Sequence, residues 1–131
     1  MLRSLDPATG SLNWSFQTGD EIWSVPAIAA NTIYVGSRDD NLYAVSRDGS
    51  ERWRFQTGEG VLSDPAVADE SVYVGSDDNN VYAVDTHSGD QQWIYATEGD
   101  VGSPTVHDGV VYVGSGDNSF YALDAADGSK V

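Results

Sequence analysis

From Val72 to Trp93 the chain reads VYVGSDDNNVYAVDTHSGDQQW: a short apolar strand, an Asp/Asn turn, a second apolar strand, a glycine turn and a tryptophan. The same order begins again at Ile33 and at Val111. Trp14, Trp53 and Trp93 stand 39 and 40 residues apart, Pro26, Pro65 and Pro104 stand 39 and 39 apart, and Tyr43-Ala44, Tyr82-Ala83 and Tyr121-Ala122 keep the same 39. A period of this length marks a stacked or radial repeat protein, in which each unit buries its apolar surface only against its neighbours.

One unit reads Ser-x-Pro-Ala, Tyr-Val-Gly-Ser, an Asp/Asn turn, Tyr-Ala-Val, a glycine turn and Trp-x-Phe, which is four short strands. In the second copy these are expected at Ser63 to Ala68, Val72 to Ser76, Val81 to Asp85 and Gln91 to Ala96. Period-two alternation sets Val72 and Val74, with Val81 and Ala83, on one face, and Tyr73 and Tyr82 on the other. Both faces are apolar, so the sheet needs a neighbour on each side. Proline cannot donate to a ladder, which makes the first strand an edge. The small and β-branched residues that follow it, such as Ala27-Ile28-Ala29 and Ala66-Val67-Ala68, suit a crowded common axis. The expected fold is therefore all-β: a β-propeller of four-stranded antiparallel blades, about three per chain. Residues 1–131 read as a single propeller-repeat region with blades at about 22–57, 61–97 and 101–131, and the outer strand 11–18 completing a blade. An open solenoid is the alternative.

Twenty-one acidic residues against six basic ones give a net charge of −15, which disfavours nucleic acid and anionic membrane surfaces. Sixteen of the acids are aspartate and Lys130 is the only lysine. This composition reads as a halophilic, haloarchaeal-type surface, although aspartate is also a residue of β-turns. There are no cysteines, so disulfides and thiolate chemistry are excluded. No apolar run approaches the length of a membrane span, and no signal-peptide pattern opens the sequence.

Ala83-Val84-Asp85-Thr86-His87-Ser88-Gly89-Asp90-Gln91-Gln92-Trp93 matches the pattern A-x-D-x-x-[TS]-G-x-x-x-W, and Leu5 to Trp14 matches it from the second position. The copy from Ala44 to Trp53 is one residue short, with Ser46 in place of Asp, and the copy at Ala122 stops before its Trp. The chain thereby resembles the pyrroloquinoline-quinone-like β-propeller repeat proteins. The resemblance implies that Trp14, Trp53, Trp93, Asp6, Asp85, Gly10 and Gly89 serve blade docking. It implies either a quinone-dependent dehydrogenase, with calcium and often a vicinal disulfide, or a non-enzymatic scaffold in an extracytoplasmic or cell-surface setting. The disulfide is impossible here, and the repeats hold no nucleophile–base constellation. The scaffold is the expectation, with no enzyme activity and no cofactor. A ligand- or cation-sensing module or a dehydrogenase fragment is the alternative.

Residues that depart from the repeat are freer to serve function. Trp23 stands where the other copies have Leu62 and Gly102, and Asp64 replaces Val25, so both are candidates for binding at the channel mouth. Asp20, Glu21, Glu59, Glu98 and Asp100 fall in loops expected to share one rim, where they are weak candidates for calcium. His87 and His107 are too scattered for a transition-metal site. Ser24, Ser63 and Ser103 recur with the repeat and are expected to cap turns. The sequence opens late in a third strand and closes after three strands of a blade. Trp14 is therefore expected to latch a blade begun by another copy, giving head-to-tail self-association, unless further blades belong to a longer chain.

Overall fold

The computed structural model describes residues 1–131. It contains thirteen strands and no helix. The first sheet pairs β1 (Leu2–Leu5) with β2 (Leu12–Phe16). The second runs β3 (Ala27–Ala29), β4 (Thr32–Gly36), β5 (Asn41–Ser46) and β6 (Glu51–Gln56) in sequence order. The third repeats this with β7 (Ala66–Ala68), β8 (Ser71–Gly75), β9 (Asn80–Asp85) and β10 (Gln91–Ala96). The fourth holds β11 (Thr105–His107), β12 (Val110–Gly114) and β13 (Phe120–Asp124), with a single bridge from Leu123 to Lys130 at the outer position. All pairings are antiparallel, and the proline-led strands β3, β7 and β11 are edges that lie beside one another along the inner wall. These are propeller blades.

The expected face assignment needs one correction. In the β8–β9 pair, Val72 faces Val84, Tyr73 faces Ala83, Val74 faces Tyr82 and Gly75 faces Val81. Partners share a face, so Tyr82 joins Val72 and Val74, while Val81 and Ala83 join Tyr73. Period two holds within each strand, but its phase across the hairpin is set by the length of the Asp77–Asn79 turn, which the alternation alone does not report. The two faces then feed two separate cores. Val72, Val74, Tyr82 and Val84 pack with Tyr34, Leu42 and Ala44 of the preceding blade and with Val61 of the loop between them, while Tyr73, Val81 and Ala83 pack with Val111, Val113 and Leu123 of the following one. A third core joins Val35, Tyr43 and Val45 to Leu2, Trp14, Phe16 and Ile22.

The inner strands are also shorter than expected: β7 starts at Ala66, because Ser63 and Asp64 before it make contacts other than ladder bonds.

On the rim opposite the site described below, each tryptophan spans two blades. Trp14 Nε1 donates to Arg47 O at 2.7 Å, Trp53 Nε1 to Thr86 O at 3.0 Å and Trp93 Nε1 to Ala125 O at 2.9 Å. Under Trp53 lies Gly89, at a φ of +76°, and a Cβ built there would stand 2.8 Å from the indole. Asp85 braces the same turn by accepting from the amides of His87 and Ser88, both at 2.8 Å, and Asp6 accepts from those of Ala8 and Thr9. Trp14 thus docks onto the next blade of its own chain, as the blade-docking role implied, while β1 and β2 form the outer pair of a blade of their own.

Candidate functional site at the ring mouth

The loops between blades and the turns between second and third strands share one rim, and its framework repeats side chain by side chain. Asp39 Oδ2 accepts from Gly19 N at 2.6 Å and from the Tyr43 hydroxyl at 2.7 Å. Asp78 does the same with Gly58 N at 2.7 Å and Tyr82 at 2.6 Å, and Asp117 with Glu98 N at 3.2 Å and Tyr121 at 2.7 Å. Each carboxylate therefore ties the loop entering its blade to its own third strand. Burial pushes the Asp39 and Asp78 carboxyls up, but the hydrogen bonds they accept outweigh it and leave both below the ordinary value. For Asp117 the Tyr121 hydroxyl is the main cause, and its pKa falls to about 2. Burial, then the Asp39 hydrogen bond, raises Tyr43 to about 12. Sequence reasoning treated these aspartates as turn residues only. The recurring four-residue spacing from Asp to Tyr was the available signal.

A second framework bond comes from serine. Ser24 Oγ accepts from Gly36 N at 2.8 Å, and Ser63 Oγ accepts from Gly75 N at 2.8 Å. Ser103 departs from this pattern. The third copy is one residue shorter before its proline, so Ser103 instead accepts from Asp64 N at 2.8 Å. Asp64 in turn accepts from Val25 N at 2.6 Å. That carboxylate bridges inner segments of neighbouring blades.

Trp23 does reach solvent, at 64% exposure, as does Val25 at 64%. The Trp23 indole N–H donates to Glu21 Oε2 at 2.9 Å, and the Arg38 guanidinium lies 5.3 Å from the ring centroid and 3.5 Å from the same carboxylate. Asp20 accepts from Glu21 N at 2.7 Å. Glu59 and Asp100 lie close enough to Asp77 to raise its pKa, after the larger effect of burial. The five candidate calcium acids do not converge, since no group of three or more His, Asp or Glu side chains is placed to hold a metal ion. A cleft of about 520 Å³ opens between the second and third blades, lined by Leu62, Asp77, Asp100, Gly102, Ser103 and Gly116 among others.

Comparison with known proteins defines the class first. BamB from Moraxella catarrhalis superimposes with a TM-score of 0.82 at 26% identity, over 93% of this chain and 39% of that one. The computationally designed Ika8 protein gives 0.84 at 15% identity, over 98% and 41%. A europium-containing methanol dehydrogenase gives 0.76 at 20% identity, over 90% and 26%, a likeness of fold alone. The fold is thus a run of pyrroloquinoline-quinone-like propeller blades. A family model described as outer membrane protein assembly factor BamB matches residues 1–102 and 95–131, and the chain belongs to that family. No curated protein matches it significantly. The chain spans about two fifths of the Moraxella protein. No helix is long and apolar enough to cross a membrane.

The dehydrogenase members of the resemblance imply calcium and a quinone. The residues present do not fit that group: the carboxylates stand apart, and the rim's best-placed aspartates, Asp39, Asp78 and Asp117, are taken up by tyrosine hydroxyls and backbone amides.

Proposed function

We propose that this chain is a non-enzymatic propeller module, in an extracytoplasmic setting, whose mouth binds other proteins. The observation that carries the reading is the division of labour on the rim. Repeated residues are committed to holding blades together, while the non-repeated Trp23 and Val25 stand 64% exposed, the indole bonded to Glu21 and packed by Arg38. An exposed indole with an apolar neighbour and a charged surround is the composition of a protein-binding hot spot. Family membership supports it. The test is photo-crosslinking from a benzophenone side chain at position 25, against the same group at position 87 on the opposite rim. A discrete protein adduct from position 25 alone is expected. Equal adducts from both positions, or none from position 25, would remove the mouth from the interaction.

A blade-to-blade contact is the second element of the proposal. Phe120, 71% exposed, stacks on Tyr112 at 6.1 Å, whereas the equivalent pairs Tyr34 with Leu42 and Tyr73 with Val81 are buried against the next blade. The matching cover for this face is a further blade, supplied by a second copy of this chain or by the same polypeptide.

A further inference from the structure

Two rim positions hold the same backbone in each full blade but different side chains. Arg38 N donates to Glu21 O at 2.9 Å, Asp77 N to Gly60 O at 3.0 Å and Gly116 N to Asp100 O at 2.8 Å, so these residues are spatial equivalents. In the first full blade the set is Glu21, Arg38 and Trp23. The guanidinium there sits on the carboxylate and against the indole face. In the last blade the equivalents of Glu21 and Arg38 are Asp100 and Gly116, and Gly102 nearby pairs with Gly114. The acid is kept, the arginine is reduced to hydrogen, and no aromatic side chain lines the cleft.

Neither glycine is demanded by the backbone. Both lack a left-handed φ; a Cβ at position 102 would meet only Gly114 O at 3.6 Å, and one at position 116 would stand 3.3 Å from Asp100 N and 3.6 Å from Asp100 O, so the backbone there would shift by a few tenths of an ångström. The 520 Å³ cleft lies where those two side chains would stand. Its other wall adds Leu62 and, in place of an arginine, the carboxylate of Asp77. Neither Asp77 nor Asp100 is in an ion pair. Burial and the charges of Asp100 and Glu59 raise the Asp77 pKa, with only partial relief from Arg38.

We propose that this cleft is a seat for the guanidinium of an arginine presented by a partner protein, with Asp100 and Asp77 as its counter-ions and Leu62 against its alkyl stem. The first full blade shows the bound arrangement with the chain's own Arg38. The partner's arginine supplies in trans what Gly116 lacks, as planar charge-assisted pairing requires. The net charge of −15 favours encounter with a basic surface. The inference deepens the proposed protein-binding role of the mouth and rests on it.

The test uses the whole chain, ¹⁵N-labelled, at the lowest salt at which it stays folded, titrated with acetyl-Gly-Arg-Gly-amide and with its neutral citrulline counterpart. Saturable shifts of the Gly102 and Gly116 amides are expected with the arginine peptide, with the citrulline peptide at least about tenfold weaker. Asp100→Asn is expected to weaken binding about tenfold, Glu70→Gln, on the opposite rim, to leave it unchanged, and Gly116→Arg, which fills the seat internally, to abolish it. Equal binding of both peptides, full binding to Gly116→Arg, or shifts given by calcium chloride but not by the arginine peptide would overturn the seat. If the position-25 adduct still forms with Gly116→Arg while the arginine peptide never binds, the seat fails and the protein-binding mouth stands. Arginine binding without any adduct fails the mouth reading alone.

Discussion

Gly89→Ala isolates the contact that joins two blades. The residue sits at φ +76°, where an alanine costs about 1 kcal/mol from backbone strain. A Cβ would also stand 2.8 Å from Trp53 Cγ and Cδ2. That ring cannot swing away freely, because its N–H is held by Thr86 O and its face meets Tyr34 at 5.8 Å. Overpacking of this kind costs about 1–3 kcal/mol more, so the total is about 2–4 kcal/mol. Gly109→Ala is the control, with φ +74° and nothing within 4 Å, so only the backbone cost of about 1 kcal/mol is expected there. Trp53→Ala alone should cost about 3–5 kcal/mol. In the double variant the alanine at position 89 has no ring to strike, so the two effects should fall short of additivity by about 1–3 kcal/mol. Urea unfolding followed by circular dichroism measures all four proteins on one scale. Equal losses for Gly89→Ala and Gly109→Ala, or additivity in the cycle, would refute the inter-blade wedge.

The Asp–Tyr ties predict loss of stability at both ends of the pH range. Asp117 has a folded pKa depressed from 3.8 to about 2, so its contribution is present above 3.8 and lost as pH falls through about 2. Tyr43 is raised from 10 to about 12, so its contribution is present below 10 and lost as pH rises through about 12. Urea midpoints across pH should flatten in Asp117→Asn at the acid end and in Tyr43→Phe at the alkaline end; unchanged profiles would contradict the ties. Asp64→Ala should cost about 1 kcal/mol, and Asp64→Asn, which keeps an acceptor for Val25 N, much less. If the surface is halophilic, thermal melting should keep rising between roughly 0.5 and 3 M KCl, well past Debye screening, whereas a flat response leaves the aspartates as turn residues. Light scattering should show more than a monomer if a second copy covers Tyr112 and Phe120, and a monomer would leave that face to further blades of the same polypeptide.

Periodicity made the blade legible without coordinates. Pro65 marked an edge, Asp77 to Asn79 marked a turn, and Gly89 with Trp93 marked the family motif, because each answers to a local rule of backbone or spacing. Legibility failed where one segment depends on another. The face shared by Tyr82 and Val74 follows from hairpin register, and the partner of Asp78 lies in the loop at Gly58, twenty residues away. Ser103 looked like Ser24 and Ser63, yet a one-residue deletion beside it redirected its hydroxyl to Asp64. At the mouth, the departures at Trp23 and Asp64 were visible as departures. What they do was not: one carries a guanidinium, and the other bridges two blades.

The sequence by itself determined the strand order, the inner and outer edges, the family and the excess of negative charge, since these follow from spacing, proline chemistry and composition. Only the tertiary structure decided which faces meet, that Trp14 docks within its own chain, and that Asp100 faces Asp77 across an open cleft. The physical reason is that repeat position fixes where a backbone lies around the ring. The meeting of side chains from two different blades depends on their register and on which neighbours have been reduced to glycine.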